Sequence, residues 1–341
     1  MKLAFQTIRY DQVRHRLTVL NQSSLPTRER YLTISTIPAL CRALKTLTIR
    51  GAPLIGVAAA YGVAMARAKG GASNARQAIR SLVATRPTAV NLAWALKRMR
   101  KVLDLYPESV TRLVREARAI ETEDQASCRR IGYYGQHLIK SGMKIMVHCN
   151  AGALATSGLG TALAVIYTAQ ARRKRVEVYV RETRPLLQGT RLTAWELTRQ
   201  GISTTCICDN MAAYYMPQMD LVLVGADRIA RNGDTANKIG TQGLAIIARH
   251  YGVPFYVCAP HSTFDPALPH GARIPIEIRA DRELRSFNRR TIIPGSARVL
   301  NPAFDVTPAR LITGIVTDHG ILRPPYRRSI NALRKRIARQ T

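Results

Sequence analysis

The chain has 341 residues, 46% of them hydrophobic, which excludes an intrinsically disordered polypeptide. Six cysteines over that length exclude a small disulfide scaffold, and the length itself is a prior for two domains. Fifty-two basic residues stand against 21 acidic ones, a formal charge of +31, with 42 arginines to 10 lysines.

The excess is not a tail: residues 1–130 carry +15 and residues 131–341 carry +16. A positive field draws in anions, phosphates and nucleic acids among them, but an arginine-rich solvated surface gives the same number. The expectation is a small anionic partner and no nucleic acid. The terminal run Arg327, Arg328, Arg334, Lys335, Arg336 and Arg339 reads as a solvated helix or an anion-binding tail. The longest weakly polar run, residues 52–66, contains glycines and falls short of the about 20 apolar residues of a spanning helix. Residues 1–6 lack an apolar signal core. A cytoplasmic chain with unpaired thiols is expected.

Residues 3–10 and 16–21 are extended runs able to pair as strands. Residues 35–47, 75–84 and 89–105 space their apolar side chains as helices do. Arg50-Gly51-Ala52-Pro53 is a tight turn before a helix rich in Ala and Gly. Arg50 there either forks onto a phosphate or hydroxyl or is a surface arginine. Pro107 and Glu108 open a helix running toward His137, the best connection between a mainly helical N-terminal domain (1–125) and a second domain (126–341).

From Lys144 the period changes. Runs at 144–148, 176–180, 204–208, 220–224, 254–258 and 311–316 are strand-like, with helical stretches at 158–172, 192–200 and 243–251. Several runs are apolar enough to be covered on both faces, as parallel strands are. The alternation predicts an α/β fold with a Rossmann-like, doubly wound, mostly parallel sheet.

Ligands of such sheets bind beyond the carboxyl ends of the strands. The first strand is followed by His148, Cys149 and Asn150, and the second by Glu182, Thr183, Arg184 and Gln188. Asp209 and Asn210 follow the third, Asp227 and Arg228 the fourth, and His261 the fifth. Cys149 reads in two ways. A helix starting just after it would point N–H groups at the thiol and lower its pKa, giving a base or nucleophile; otherwise it is a buried, inert cysteine. Cys41, Cys128, Cys206, Cys208 and Cys258 read as structural, with no zinc spacing. Asp227, at the end of an apolar run, is either a desolvated general acid or a cap of the next helix, or a partner of Arg228. Gly158-Leu-Gly160 is an incomplete dinucleotide turn, and the seven histidines show no metal-ligand spacing.

Taken together, the chain resembles the methylthioribose-1-phosphate isomerase family of methionine salvage. The stretches that carry the resemblance are 49–62 (IRGAPLIGVAAAYG), 86–91 (RPTAVN), 148–156 (HCNAGALAT) and 182–189 (ETRPLLQG). They continue with 191–197 (RLTAWEL), 225–229 (GADRI), 232–234 (NGD), 237–240 (NKIG) and 301–308 (NPAFDVTP), in order along residues 3–326. The resemblance implies an aldose–ketose isomerase acting on 5-methylthioribose 1-phosphate. It also implies a homodimer and no metal or organic cofactor. Residue by residue, it implies Cys149 and Asp227 as catalytic groups, and Arg50, Gly51, Ala52, Arg86, Gln188, Asn237 and Lys238 as substrate-binding ones. Arg181, Ile278 and His261 depart from the residues usual in the family.

Other functions are weighed beside this one. Isomerases of 5-deoxyribose 1-phosphate or ribose 1,5-bisphosphate differ in the 5-substituent: a second phosphate needs extra cations, a methylthio group an apolar pocket, which the helix at 52–66 and Leu154 favour. Regulatory subunits of the translation-initiation guanine-nucleotide exchange factor share the resemblance but generally lack the Cys and Asp pair.

Overall fold

The computed structural model describes residues 3–86, 89–287 and 290–339. Pro87 and Thr88, within the stretch 86–91, lie outside the described residues.

Strands β1 (Ile8–Asp11) and β2 (Arg16–Leu20) pair antiparallel as expected, and β3 (Tyr31–Ile34), which the sequence reading missed, adds to β2. Helix α1 (Ile37–Lys45) starts where the Thr36 side chain accepts from the Ala39 N–H. Helix α2 (Ala52–Val83) joins two stretches read separately, around a kink where Gly70 and Gly71 leave helical geometry. Helix α3 (Val90–Leu105) and helix α4 (Val110–Gly135), opened by the Ser109 side chain accepting from Arg112 N–H, complete a helical layer. Ala58, Ala59 and Ala60 are fully buried in its core. Small side chains let α3 approach: a Cβ on Gly56 would lie 2.9 Å from the Asn91 carbonyl. The connecting segment is no loose linker. Helix α4 places Leu113, Ala117 and Ile120 in the helical core, and Ile131 in the core under the sheet.

The sheet strands are β4 (Lys144–Val147), β5 (Glu177–Arg181), β6 (Ser203–Ile207) and β7 (Leu221–Val224). Then come the hairpin β8 (Arg228–Ala230) and β9 (Thr235–Lys238), strands β10 (Phe255–Cys258) and β11 (Phe264–Asp265), and the short pair β12 (Ser286–Phe287) and β13 (Arg290–Thr291). Strands β14 (Phe304–Thr307), β15 (Gly314–Thr317) and β16 (Gly320–Leu322) end the series. Among the helices between them are α5 (Ala162–Ala171), α6 (Ala194–Arg199), α7 (Ala212–Tyr215), α8 (Thr241–His250) and α9 (Arg282–Arg285), and α10 (Tyr326–Ala338) follows β16.

Seven strands form one sheet in the order β16-β15-β10-β7-β4-β5-β6, parallel throughout except for the edge pair β15–β16. The apolar runs follow from coverage of both faces. Val222 and Val224 pack with Leu244 and Ala248 of α8 and Ile330 of α10, while Leu221 and Leu223 pack with Val165 and Ile166 of α5. A second, four-stranded sheet, β11-β8-β9-β14, was not foreseen, because its strands are short and polar. Among the described residues no helix is long and apolar enough to cross a membrane.

Candidate active site

Strand β4 lies between β7 and β5: the chain runs from β4 outward through β5 to β6 and then crosses back to β7 on the other side of β4. That reversal opens a crevice at the carboxyl ends of β4 and β7. Val147 of β4 stands opposite Leu223 of β7, and a few residues on the two strands release Cys149 and Asp227. A cavity of about 130 Å³ opens there. Its lining includes Cys149, Asp227, Arg50, Gly51, Ala52, Arg86, Gln188, Asn237 and Lys238, so the fold brings all nine expected residues to one space.

The backbone around Cys149 is strained. Cys149 sits at φ 60 and Thr183 at φ 64, a region rarely used by β-branched residues. The Cys149 N–H donates to Thr183 Oγ1 at 2.9 Å, and Thr193 Oγ1 donates to the Cys149 carbonyl at 2.7 Å, so each half of the turn is pinned by a neighbouring segment. The helix expected just after Cys149 does not exist. A 3-10 turn (Ala153–Ala155) follows, and α5 begins only at Ala162. The lowered thiol is corrected with it. Burial pushes the Cys149 thiol up, Asp227 adds to that, and Arg50 and Lys238 offset only part.

Asp227 is followed by strand β8, not by a helix it could cap, and its N–H is spent on the Ala236 carbonyl at 2.9 Å. Arg228 faces Asp265 at 3.5 Å. Burial raises the Asp227 carboxyl against the pull of Lys238, Arg86 and Arg50, the direction expected of a desolvated carboxyl. Lys238 is lowered by burial, opposed by Cys149 and Asp227. Its ammonium donates to the Ala303 carbonyl at 2.9 Å and lies 4.7 Å from the Phe304 ring. Asn237, beside it on β9, donates to Thr241 Oγ1 at 3.1 Å.

Gly51 precedes α2 at φ 96, and a Cβ there would lie 2.4 Å from the Ala155 Cα and carbonyl oxygen. Arg50 does not wave in solvent: Nη1 donates to Asn150 Oδ1, and Nη2 to the Asn150 carbonyl at 2.9 Å. Arg86 donates to Glu277 at 3.1 Å, and the same carboxylate takes Arg279 at 2.9 Å. Buried Gln188 keeps its Oε1 without a partner, and Arg86 Nε is likewise unpaired. Both residues line the cavity, and such orphaned groups are costly unless something polar meets them.

Several contributors escaped the sequence reading. Arg279 lines one side of the cavity and is held by Glu277, and on another side Glu196 holds Asn150, a residue already noted at the end of the first strand. Residue type and spacing gave no signal for these pairings. His148 is buried, its Nε2 sits 2.9 Å from the Ile239 carbonyl, and burial and Arg181 hold it at about 3, neutral at ordinary pH. Arg181 donates to the Gly240 and Asp209 carbonyls at 3.0 and 3.1 Å. Leu154, expected to wall an apolar pocket, instead packs in a separate cluster with Phe5 and Trp195. Leu47, Ile55, Leu186 and Ile274 supply the apolar lining. Gly158 and Gly160 bind no dinucleotide turn: their N–H groups donate to Thr156 Oγ1 at 3.1 and 3.0 Å. The histidines without sequence spacing do meet once: His261 and His319 lie 2.8 and 3.9 Å from the Asp318 carboxylate, which Arg130 shares at 3.6 Å. All six cysteines are free thiols.

The family model described as the initiation factor 2 subunit family matches residues 48–324. A methylthioribose-1-phosphate isomerase of Heliobacterium modesticaldum is 51% identical over 332 residues, 93% of this chain and 96% of the relative. The chain belongs to the methylthioribose-1-phosphate isomerase branch of the initiation factor 2 subunit family. Within it, the crystal structure of 5-methylthioribose 1-phosphate isomerase from Pyrococcus horikoshii OT3 superimposes with a TM-score of 0.92 at 39% identity, covering 98% of this chain and 97% of that one. A structure described as translation initiation factor eIF-2B, subunit delta, from A. fulgidus follows at 0.86 and 37%, covering 97% and 100%. The branch is therefore recognised by close relatives, and the wider family by the fold.

Proposed function

We propose that this chain isomerises 5-methylthioribose 1-phosphate to 5-methylthioribulose 1-phosphate, with Asp227 as general acid and Cys149 beside the reacting carbons. Residues 1–125 act as a helical domain over a Rossmann-like catalytic domain, 126–341, and the working form is a cytoplasmic homodimer. The observation that carries the reading is the convergence of a thiol, a raised carboxyl and three cationic side chains on one cavity at the sheet's switch point.

The chemistry has a specific obstacle. The phosphate occupies the anomeric oxygen, so simple ring opening cannot release an aldehyde. Asp227 gives its proton to the ring oxygen as the bond from that oxygen to C1 breaks, leaving positive character at C1. Hydrogen at C2 then moves with its electron pair to C1. The C2 hydroxyl returns a proton to Asp227, which leaves a ketone at C2 and restores the acid. Arg50, Arg86 and Lys238 suit the phosphate, Gly51 and Ala52 permit close approach of backbone N–H groups, and Gln188 and Asn237 read hydroxyls.

A proton route would need Cys149 as thiolate, taking hydrogen from C2 and returning it to C1. Burial already disfavours that form, and an incoming phosphate adds negative charge to the same cavity. Cys149 therefore acts by shape and electrostatics in the hydride route. A dry cavity serves both routes by keeping water from the open-chain cation.

The test is turnover of 5-methylthioribose 1-phosphate in deuterated water, followed by NMR of the product. Ketose with no solvent deuterium at C1 is the expected result. Absence of turnover refutes the substrate; deuterium at C1 refutes the hydride route and leaves the substrate standing. Sedimentation at micromolar concentration tests the dimer.

A further inference from the structure

Glu196 on α6 has no exposed surface and does not border the cavity, yet its carboxylate is the most heavily used acceptor near it. Oε1 takes the Asn150 side-chain amide at 2.7 Å and the Leu154 N–H at 3.0 Å. Oε2 takes the Ala153 N–H at 2.7 Å and the Tyr167 hydroxyl at 3.0 Å. Four donors thus meet two oxygens, which fills the acceptor capacity of a carboxylate; burial pushes the Glu196 carboxyl up, and these four hydrogen bonds oppose that push. A buried charge is expensive unless it is fully hydrogen-bonded, and here it is.

The consequence reaches the cavity in two steps. The Asn150 amide must turn its NH2 toward Glu196, where Thr193 Oγ1 also accepts from it at 3.1 Å. Its Oδ1 is thereby turned to Arg50 Nη1, and the Asn150 carbonyl takes Arg50 Nη2. Both Arg50 and Asn150 line the cavity. We propose that Glu196 is a positioning residue of this site: its carboxylate dictates the orientation of the Asn150 amide, and that orientation sets the Arg50 guanidinium. The inference rests on the reading above in one respect, that Arg50 meets the substrate phosphate.

Glutamine has the same shape but one oxygen and one NH2. Placed at 196, its NH2 faces either the Asn150 amide and the Leu154 N–H or the Ala153 N–H and the Tyr167 hydroxyl. In the first case the Asn150 amide must turn over to supply an acceptor, and its own NH2 then confronts Arg50. In the second the Ala153 N–H, which cannot rotate away, loses its acceptor, and the turn that carries Ala155 shifts. The Asn150→Asp change repairs the part of the first conflict that reaches Arg50, since an aspartate presents one oxygen to the glutamine NH2 and the other to Arg50, while the Leu154 N–H stays without its acceptor.

The experiment compares wild type, Glu196→Gln, and Glu196→Gln with Asn150→Asp by steady-state kinetics, thermal unfolding and crystallography. The single variant is expected to raise KM about tenfold with kcat within about threefold, the pattern of a binding interaction lost equally from ground and transition states. The double variant is expected to recover at least about threefold of that KM, and the crystal structure of the single variant to show Arg50 displaced from Asn150. Unchanged KM, a loss confined to kcat, or a double variant worse than the single one overturns the proposal. An inactive wild type refutes the substrate instead; the position of Arg50 in the single variant's crystal structure then decides the positioning role alone.

Discussion

Gly51 is the position where one added methyl group should cost the most. Its φ of 96 belongs to the left-handed half of the map, and its missing Cβ would sit 2.4 Å from the Ala155 Cα and carbonyl oxygen and 2.7 Å from the carbonyl carbon. Carbon atoms in good contact stand about 3.5–4.0 Å apart, so Gly51→Ala forces the two backbones about 1 Å further apart. A positive φ combined with ψ 131 lies outside the left-handed helical well and adds about 1–3 kcal/mol for an L residue, and overpacking about 1–3 kcal/mol. Ala155 and Thr156 line the cavity opposite Ala52, so the displacement falls on the site itself. Shifts of about 1 Å in a positioning segment can cost about 100-fold in rate. Gly51→Ala should therefore lower kcat/KM about 100-fold while the protein still folds. Gly71→Ala is the control: Gly71 also has a positive φ, 77, but nothing lies within 4 Å of its missing Cβ. It should pay only the conformational term, as a small drop in melting temperature at full activity. If Gly51→Ala keeps activity within threefold of wild type, the close approach of α2 to the 153–155 turn is not what shapes the site.

Asp227→Asn keeps the shape of the acid and removes its proton; kcat should fall about 10²–10⁴-fold with KM little changed, measured by coupled assay. The same substitution tests the acid's environment. Burial raises Asp227 in the folded state, so its contribution favours folding at low pH and is lost as pH rises through the folded value. The stability of wild type relative to Asp227→Asn should accordingly decline from the ordinary aspartate range up to that raised value and then level off, measured by urea unfolding at several pH values. Lys238→Met removes the largest influence that pulls Asp227 down, so the pH at which activity falls as Asp227 ionises should move upward.

The sheet was readable because its chemistry is periodic. The runs around Val178, Val222 and Val257 are apolar on both faces, and only a covered, parallel strand has that need. The position of the site followed from the same fact, since Cys149 and Asp227 stand just past two such runs. What failed to show was everything set by pairing across distance. The β8–β9–β14 strands hold Asn237 and Lys238 opposite Asp305 and Phe304, but they are short and polar and carry no alternation. The thiol's electrostatics stayed open between two readings for a related reason: the lowered pKa depended on a helix just after Cys149, whereas the glycines there serve close backbone contacts, Gly160 against Gly152. Glu196 was unreadable because a glutamate inside a helix normally faces water, and only the folded chain delivers four donors to it.

Choice among sugar phosphates turns on one carboxylate. A substrate with a second phosphate would need free cations on the wall that receives its 5-position. Arg86 and Arg279 line the cavity, but both are spent on Glu277, at 3.1 and 2.9 Å, and Arg279 also meets Glu283 at 2.8 Å. Burial works to raise Glu277, yet the two arginines outweigh it and hold its carboxyl below the usual range, so it stays ionised and offsets part of the charge of both guanidinium groups, leaving the Arg86 Nε edge to the 1-phosphate. Its stabilising contribution is present above the ordinary glutamate pKa and disappears as pH falls through the lowered folded value. A second phosphate therefore finds the guanidinium charge on that wall already offset by Glu277, whereas a methylthio group meets Leu47, Ile55, Leu186 and Ile274 at no such penalty. Glu277→Gln frees Arg86, while Arg279 stays paired with Glu283, and a charge-assisted hydrogen bond is worth about 1.5–3 kcal/mol. The ratio of kcat/KM for ribose 1,5-bisphosphate over 5-methylthioribose 1-phosphate should rise at least about tenfold in that variant, measured with both sugars in competition. An unchanged ratio would mean that the 5-substituent lies away from Glu277 and that the apolar wall alone discriminates.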